Sequence, residues 1–147
     1  ALVKYEEDEL GGIDVLVNHA AVEPHTSLLA MDEWDWHRTL DVNLTGAFLM
    51  IQSVGRVMRD KGKGAILNIV AGAGRGLDAT LAPHASAGER DAGAYLSSVA
   101  GLVALSHQAD RELSPHGIRV YAVENSADVV QDVMSTLEAW RRNEGIT

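Results

Sequence analysis

Three short apolar runs, separated by two long amphipathic stretches, constrain this chain more than any other feature. Ile13-Asp14-Val15-Leu16-Val17 follows Gly11-Gly12 and stops at Asn18. Ala65 to Val70 lies between Gly64 and the glycines at 72, 74 and 76, and Ile118 to Val123 follows the Pro115-His116-Gly117 turn. Such short, mostly apolar, β-branched runs are expected for strands covered on both faces. Between the first two, Leu40, Leu44, Ala47, Phe48, Ile51, Val54 and Met58 recur at three and four residues. That spacing predicts a long helix, with Asp32 as its N-cap and Gly62 as its stop. A second helix is expected over 92–113, carrying Tyr95, Val99, Leu102, Val103, Ala109 and Leu113 on or near one side. A third follows Ser126 and uses Val130, Val133, Met134, Leu137 and Trp140. Strand and helix alternate three times, and crossovers this long imply parallel strands joined by right-handed connections in an α/β layer structure.

The chain has 147 residues, enough for one domain with one core. Twelve basic against 21 acidic residues give a net charge of −9, the wrong sign for a phosphate backbone or an anionic membrane surface. No nucleic-acid or membrane partner is therefore expected, and no apolar run approaches the roughly 20 residues of a membrane span. The absence of cysteine excludes disulfides, thiol catalysis and cysteine-ligated zinc. The six histidines, at 19, 25, 37, 84, 107 and 116, share no metal-ligand spacing, so no metal is expected. The stretch Ala1 to Leu10 lacks a signal-peptide layout, and the simple reading is a cytoplasmic protein. Its acidic run, Glu6-Glu7-Asp8-Glu9, reads as a solvated helix face. Trp34 and Trp36 either cover the end of a core or line a ligand cleft.

Ligands of open parallel sheets bind at the carboxyl ends of the strands. The residues there are Asn18-His19-Ala20-Ala21, Ala71-Gly72-Ala73-Gly74 and Glu124-Asn125-Ser126. Small residues let a flat ligand approach the backbone, and the same residues also serve as plain turn chemistry. The stretch from Gly72 to Gly93 is the one long loop. Arg75, Asp78, His84, Glu89, Arg90 and Asp91 give it charge that a separate small-molecule site could use.

Taken in order, these segments resemble the short-chain dehydrogenase/reductase family. Asp14-Val15-Leu16-Val17-Asn18-His19-Ala20-Ala21 is similar to its Asn-Asn-Ala-Gly segment. Leu40-Asp41-Val42-Asn43-Leu44-Thr45-Gly46 is similar to the helix segment with its catalytic asparagine. Gly64 to Ile69 resembles the strand that leads to its catalytic serine, and Tyr95 to Leu102 resembles its Tyr-x-x-x-Lys helix. His116 to Val123 resembles its sixth strand. The resemblance implies a partial Rossmann-like three-layer fold, with a short parallel sheet flanked by long helices. It implies one partial domain over 1–147, the central and C-terminal part of the family fold without its glycine-rich half. It also implies hydride transfer between NAD or NADP and a small alcohol or carbonyl. Tyr95 and Asn43 would be catalytic, and Asn18, Ala20 and Ala21 would border the cofactor. The helices expected over 33–61 and 92–113 are those through which this family forms dimers and tetramers.

Departures from the family pattern open a second reading. The lysine expected four residues after the tyrosine is Val99, and the serine position is Ala71. An ordinary tyrosine titrates near pH ~10, and each unit is about 1.4 kcal/mol, so a base for neutral pH needs several kcal/mol of electrostatic help that valine cannot give. Arg75, His84 or Arg90 would have to replace the lysine. The Pro-Gly expected after the sixth strand reads Asn125-Ser126, and the asparagine within it reads Tyr121. No glycine-rich turn for a pyrophosphate is present. One reading is thus an oxidoreductase with weak or no activity as this chain. The other is a catalytically silent pseudoenzyme or assembly segment, in which Tyr95 packs its ring, Asn43 steadies a helix kink and Asn18 bonds back to a neighbouring strand's loop. An unpaired strand at Ile13 to Val17 would also recruit another chain, so a homo-oligomer or partner chain is expected.

Overall fold

The computed structural model describes residues 11–71 and 92–143. In chain order these form β1 (Val15–Asn18), α1 (Glu33–Leu40), a π-helical turn (Asp41–Thr45) and α2 (Gly46–Lys61). Then come β2 (Gly64–Ala71), α3 (Gly93–Leu113), a 3-10 turn (Ser114–His116), β3 (Ile118–Asn125) and α4 (Val129–Asn143). The three strands form one parallel sheet in the order β1-β2-β3, with Asn18 opposite Asn68 and Ala71 opposite Asn125. The α/β three-layer expectation holds, and the strands end farther along the chain than their apolar runs suggest.

Alternation along the strands divides the core between two faces. Ile66, Val70, Ile118 and Val120 pack with residues of α2 and α3, including Ile51, Val54, Met58, Val99 and Leu102. Ala65, Leu67, Ile69 and Val123 face the other way, against Trp140 of α4. Coverage of both faces fails at β1, where Val17 remains 44% exposed. Among the described residues, no helix is long and apolar enough to cross a membrane.

Asp32 caps α1 as expected, its carboxylate accepting the Asp35 N–H at 2.7 Å. Gly62 stops α2 with φ +76°, a left-handed conformation suited to glycine. The single helix expected between these points is broken in phase by the π-helical turn, which adds a residue to the ladder and rotates Asn43 into the interior. Phe48 consequently lies 42% exposed beside the core stripe of Ala47, Ile51 and Val54. The phase of α4 also differs from expectation. Val129, Val133, Leu137 and Trp140 face the sheet, while Val130 and Met134 face out. Trp34 is exposed and stacks against Arg38, whose guanidinium carbon is 5.3 Å from the ring centroid, so it does not cover the core.

Two ties fix α3 and the sheet. Asp110 of α3 accepts two hydrogen bonds from Arg119, at 2.9 and 3.1 Å, and one from the Val120 N–H at 2.9 Å. At the amino ends of the strands, the Gly64 N–H donates to the Gly117 carbonyl at 3.1 Å. A β-carbon on Gly117 would lie 2.1 Å from the Gly62 carbonyl oxygen, so the two turns meet only because position 117 has none.

Candidate active site

The carboxyl ends of β1 and β2, the π-helical turn and the first turns of α3 converge on one cleft, and Asn43 is its centre. The Asn43 carboxamide oxygen accepts the Val22 N–H at 2.8 Å. Its Nδ2 donates to the Val22 carbonyl at 2.9 Å and to Ser98 Oγ at 2.9 Å. Ser98 Oγ in turn donates to the Tyr95 carbonyl at 2.7 Å. Both amide hydrogens of Asn43 are therefore committed to protein groups. The arrangement supports its positional role, which is broader than steadying a kink: it ties the loop after β1 to α3.

A second polar chain runs beneath the first. Asn18 Nδ2 donates to Asn68 Oδ1 at 2.8 Å, Asn68 Nδ2 donates to Ser106 Oγ at 2.8 Å, and Ser106 Oγ donates to the Leu102 carbonyl at 2.7 Å. Asn18 thus bonds to a side chain in the middle strand, where a backbone partner in a loop was expected. Asn68 and Ser106 are fully buried, so each needs these partners. Neither stood out as a site residue, although a polar residue inside the apolar run 65–70 was visible. Ser98, Leu102 and Ser106 also repeat at four residues on the buried stripe of α3.

Tyr95 is half-buried against the cluster of Ala47, Val70, Val99, Leu102 and Val103. Its hydroxyl has no hydrogen-bond partner among the described residues. Burial pushes the phenol above its ordinary pKa, and the negative charge of Glu23 pushes it further in the same direction. Val99, at the family's lysine position, is only 5% exposed and belongs to the same apolar cluster. Lys61 and Lys63 are at the amino ends of the strands, where their ammonium groups lie 2.8 and 3.7 Å from an Asp14 carboxylate oxygen. Ala71 ends β2 opposite Asn125, on the rim that the resemblance assigns to a serine. Arg75, Asp78, His84, Glu89, Arg90 and Asp91, together with Lys4 and the acidic run Glu6 to Glu9, lie outside the described residues.

Ala20 and Ala21 line this cleft with Asn43, Tyr95, Ser98 and Val99. Asn18, His19 and Ala20 also border an adjoining cavity of about 270 Å³. These small residues accommodate a flat ring close to the backbone. The cleft beside Tyr95 encloses about 20 Å³, less than a nicotinamide ring needs, and none of its described lining residues supplies the cation that would hold a ribose. Among them, no group of three His, Asp or Glu residues is placed to hold a metal.

The family model described as short chain dehydrogenase matches residues 1–140. The chain is 34% identical over 122 residues to 3-oxoacyl-[acyl-carrier-protein] reductase of Synechocystis, covering 83% of this chain and 45% of that protein. It is 36% identical over 123 residues to short-chain reductase protein NovJ of Streptomyces niveus, covering 84% and 42%. NAD+-bound xylitol dehydrogenase superposes with a TM-score of 0.72 at 27% identity, covering 85% of this chain and 44% of that one. The chain spans less than half the length of these relatives.

Proposed function

This chain belongs to the short-chain dehydrogenase/reductase family, and on that premise we propose that it is the central and C-terminal part of a Rossmann-like oxidoreductase domain, with weak or no turnover as this chain. The reaction is hydride exchange between NAD or NADP and a small alcohol or carbonyl. Bound dinucleotide would supply the hydride. Ala20 and Ala21 would border its ring, with Asn18 held beside them by Asn68. Tyr95 would donate a hydrogen bond to the substrate oxygen, and Asn43 would hold the loop after β1 against α3.

One observation carries the statement on turnover: a buried valine stands one helical turn from Tyr95, where a cation is needed. With burial and Glu23 both raising its pKa, the phenol stays protonated at neutral pH. It can donate a hydrogen bond and cannot accept the proton of an alcohol. Titration of the purified chain with NADH and NADPH, followed by nicotinamide fluorescence, tests the reading. Saturable micromolar binding would support an assembled cofactor site. No binding at millimolar cofactor would favour a catalytically silent segment.

That second reading, an assembly segment acting through a second copy or a partner chain, is favoured by the exposed apolar surface of β1 at Val17. A stable monomer throughout a micromolar dilution series would count against it.

A further inference from the structure

Among the described residues β3 is the last strand of the sheet on its side, and its peptide groups alternate between β2 and the outer edge. The Gly64 N–H bonds to the Gly117 carbonyl, so Arg119, Tyr121 and Val123 turn their peptide groups to β2, while Val120 and Ala122 turn theirs outward. The Val120 N–H thus faces the place of a further strand. It donates instead to Asp110 Oδ1 of α3 at 2.9 Å. The same carboxylate holds Arg119, Oδ1 taking Nε at 2.9 Å and Oδ2 taking Nη2 at 3.1 Å. Arg119 shares the face of Tyr121 and Val123, on the α4 side, and its guanidinium carbon lies 5.7 Å from the Tyr121 ring centroid. Val120 and α3 pack on the opposite face. To reach Asp110, the Arg119 side chain must pass round the outer margin of β3. Carboxylate and guanidinium therefore lie across the edge where another strand would pair.

The other edge differs. The Ala65 N–H bonds to the Asp14 carbonyl, so Val15 and Val17 of β1 turn their peptide groups away from β2, and Val17 is 44% exposed. If β1 of one copy paired with β3 of the next, every step would leave the same two edges, and growth would be open-ended. We propose that the Asp110–Arg119 pair guards the outer edge of β3 against strand β1 of a second copy, so that self-association is confined to the β1 edge and stops at pairs. The inference deepens the assembly reading above and rests on it for the identity of the partner, not for the guard itself.

The test follows the full chain and its variants by sedimentation velocity across a micromolar dilution series, with folding checked by far-ultraviolet circular dichroism. The unmodified chain should not pass a dimer. Asp110→Ala frees the Val120 N–H and should grow to at least about threefold the unmodified mass, with Arg119→Ala moving in the same direction. Adding Val120→Pro to Asp110→Ala removes the donor, which an edge strand tolerates where the N–H faces outward, and should restore the unmodified mass. Adding Val17→Lys to Asp110→Ala should also stop growth, by charging the incoming strand. If Asp110→Ala does not fold, Arg119→Ala decides by the same masses, since it removes the covering side chain and leaves α3 intact. A folded guard variant of unchanged mass, growth indifferent to Val120→Pro or Val17→Lys, or an unmodified chain that grows past a dimer would each overturn the proposal. A monomeric unmodified chain would fail the assembly reading, while growth on loss of Asp110 alone would still uphold the guard.

Discussion

Val22 and Asn43 are bound to each other twice, N–H to carboxamide oxygen at 2.8 Å and carboxamide nitrogen to carbonyl at 2.9 Å. Truncating Asn43 leaves both peptide groups of Val22 and the buried Ser98 hydroxyl short of a partner. Unmade hydrogen bonds cost about 1–3 kcal/mol each when buried, and partial exposure of Val22 lowers the sum. Asn43→Ala should therefore destabilise the chain by about 2–4 kcal/mol in denaturant unfolding. Tyr95→Phe, which removes a hydroxyl with no partner among the described residues, should change stability by less than about 1 kcal/mol. Comparable losses in the two variants would contradict this account of the bridge.

Restoring the family's lysine should not restore chemistry by itself. Val99 is packed against Val70, Leu102 and Val103 in the wall of the cleft, and an ammonium group there disrupts that packing and is poorly solvated. Val99→Lys is expected to lower stability by about 1–3 kcal/mol. Combined with Ala71→Ser, it should still give no NADH or NADPH oxidation with small carbonyl substrates. Measurable turnover from this pair would show that charge and hydroxyl alone were missing.

Acid sensitivity should centre on Asp110. Burial pushes its carboxyl up, but hydrogen bonds from Arg119 and the Val120 N–H, with the charges of Arg119 and His107, outweigh burial and hold it below the ordinary range. A carboxylate with a depressed folded-state pKa contributes stability that is fully present above its unfolded value, ~3.9, and is lost as pH falls through the folded value. Asp110→Asn should thus lower the melting temperature at neutral pH and flatten the loss of stability below about pH 4. Asp14 is also lowered, first by its Lys61 hydrogen bond, but it is half exposed, so its effect should be smaller and largely abolished by salt. An unchanged acid limb in Asp110→Asn would remove Asp110 from this role.

Two glycines with nearly the same backbone angle should respond differently to alanine. Gly62 and Gly117 have φ of +76° and +74°. Around Gly62 nothing lies within 4 Å of a built β-carbon, whereas at Gly117 it collides with the Gly62 carbonyl. Gly62→Ala should cost about 1 kcal/mol, the left-handed strain alone. Gly117→Ala should cost more than twice as much, because the two turns must separate. Equal midpoints in urea would refute the close approach.

The α/β layers were readable because apolar runs and helical spacing are local properties, and Asp32 and Gly62 act within their own turns, the one through its carboxylate and the other through its left-handed backbone. The buried faces of α2 and α4 were misread at Phe48, Val130 and Met134 for one reason: hydrophobicity marks a stripe, while its phase is set by what the helix packs against. The π-helical turn adds a residue that no periodicity count includes. At the site, Tyr95, Asn43, Ala20 and Ala21 were legible as a group and do meet in one cleft. Ser98 was not, since its role arises from Asn43, 55 positions distant in sequence, and a serine does not mark itself.

The pairing of Asn18 with Asn68 bears on how the strands find one another. These residues are opposite in the parallel register, and Asn68 is fully buried. Were β1 to slide by two residues, Asn18 would face Ile66 or Val70, and the buried Asn68 carboxamide oxygen would lose its partner while its nitrogen kept Ser106. An all-aliphatic sheet of this length would tolerate that slip almost without penalty. The amide pair thus acts as a checksum on assembly, favouring the register in which the strand end carrying Ala20 and Ala21 arrives beside Tyr95.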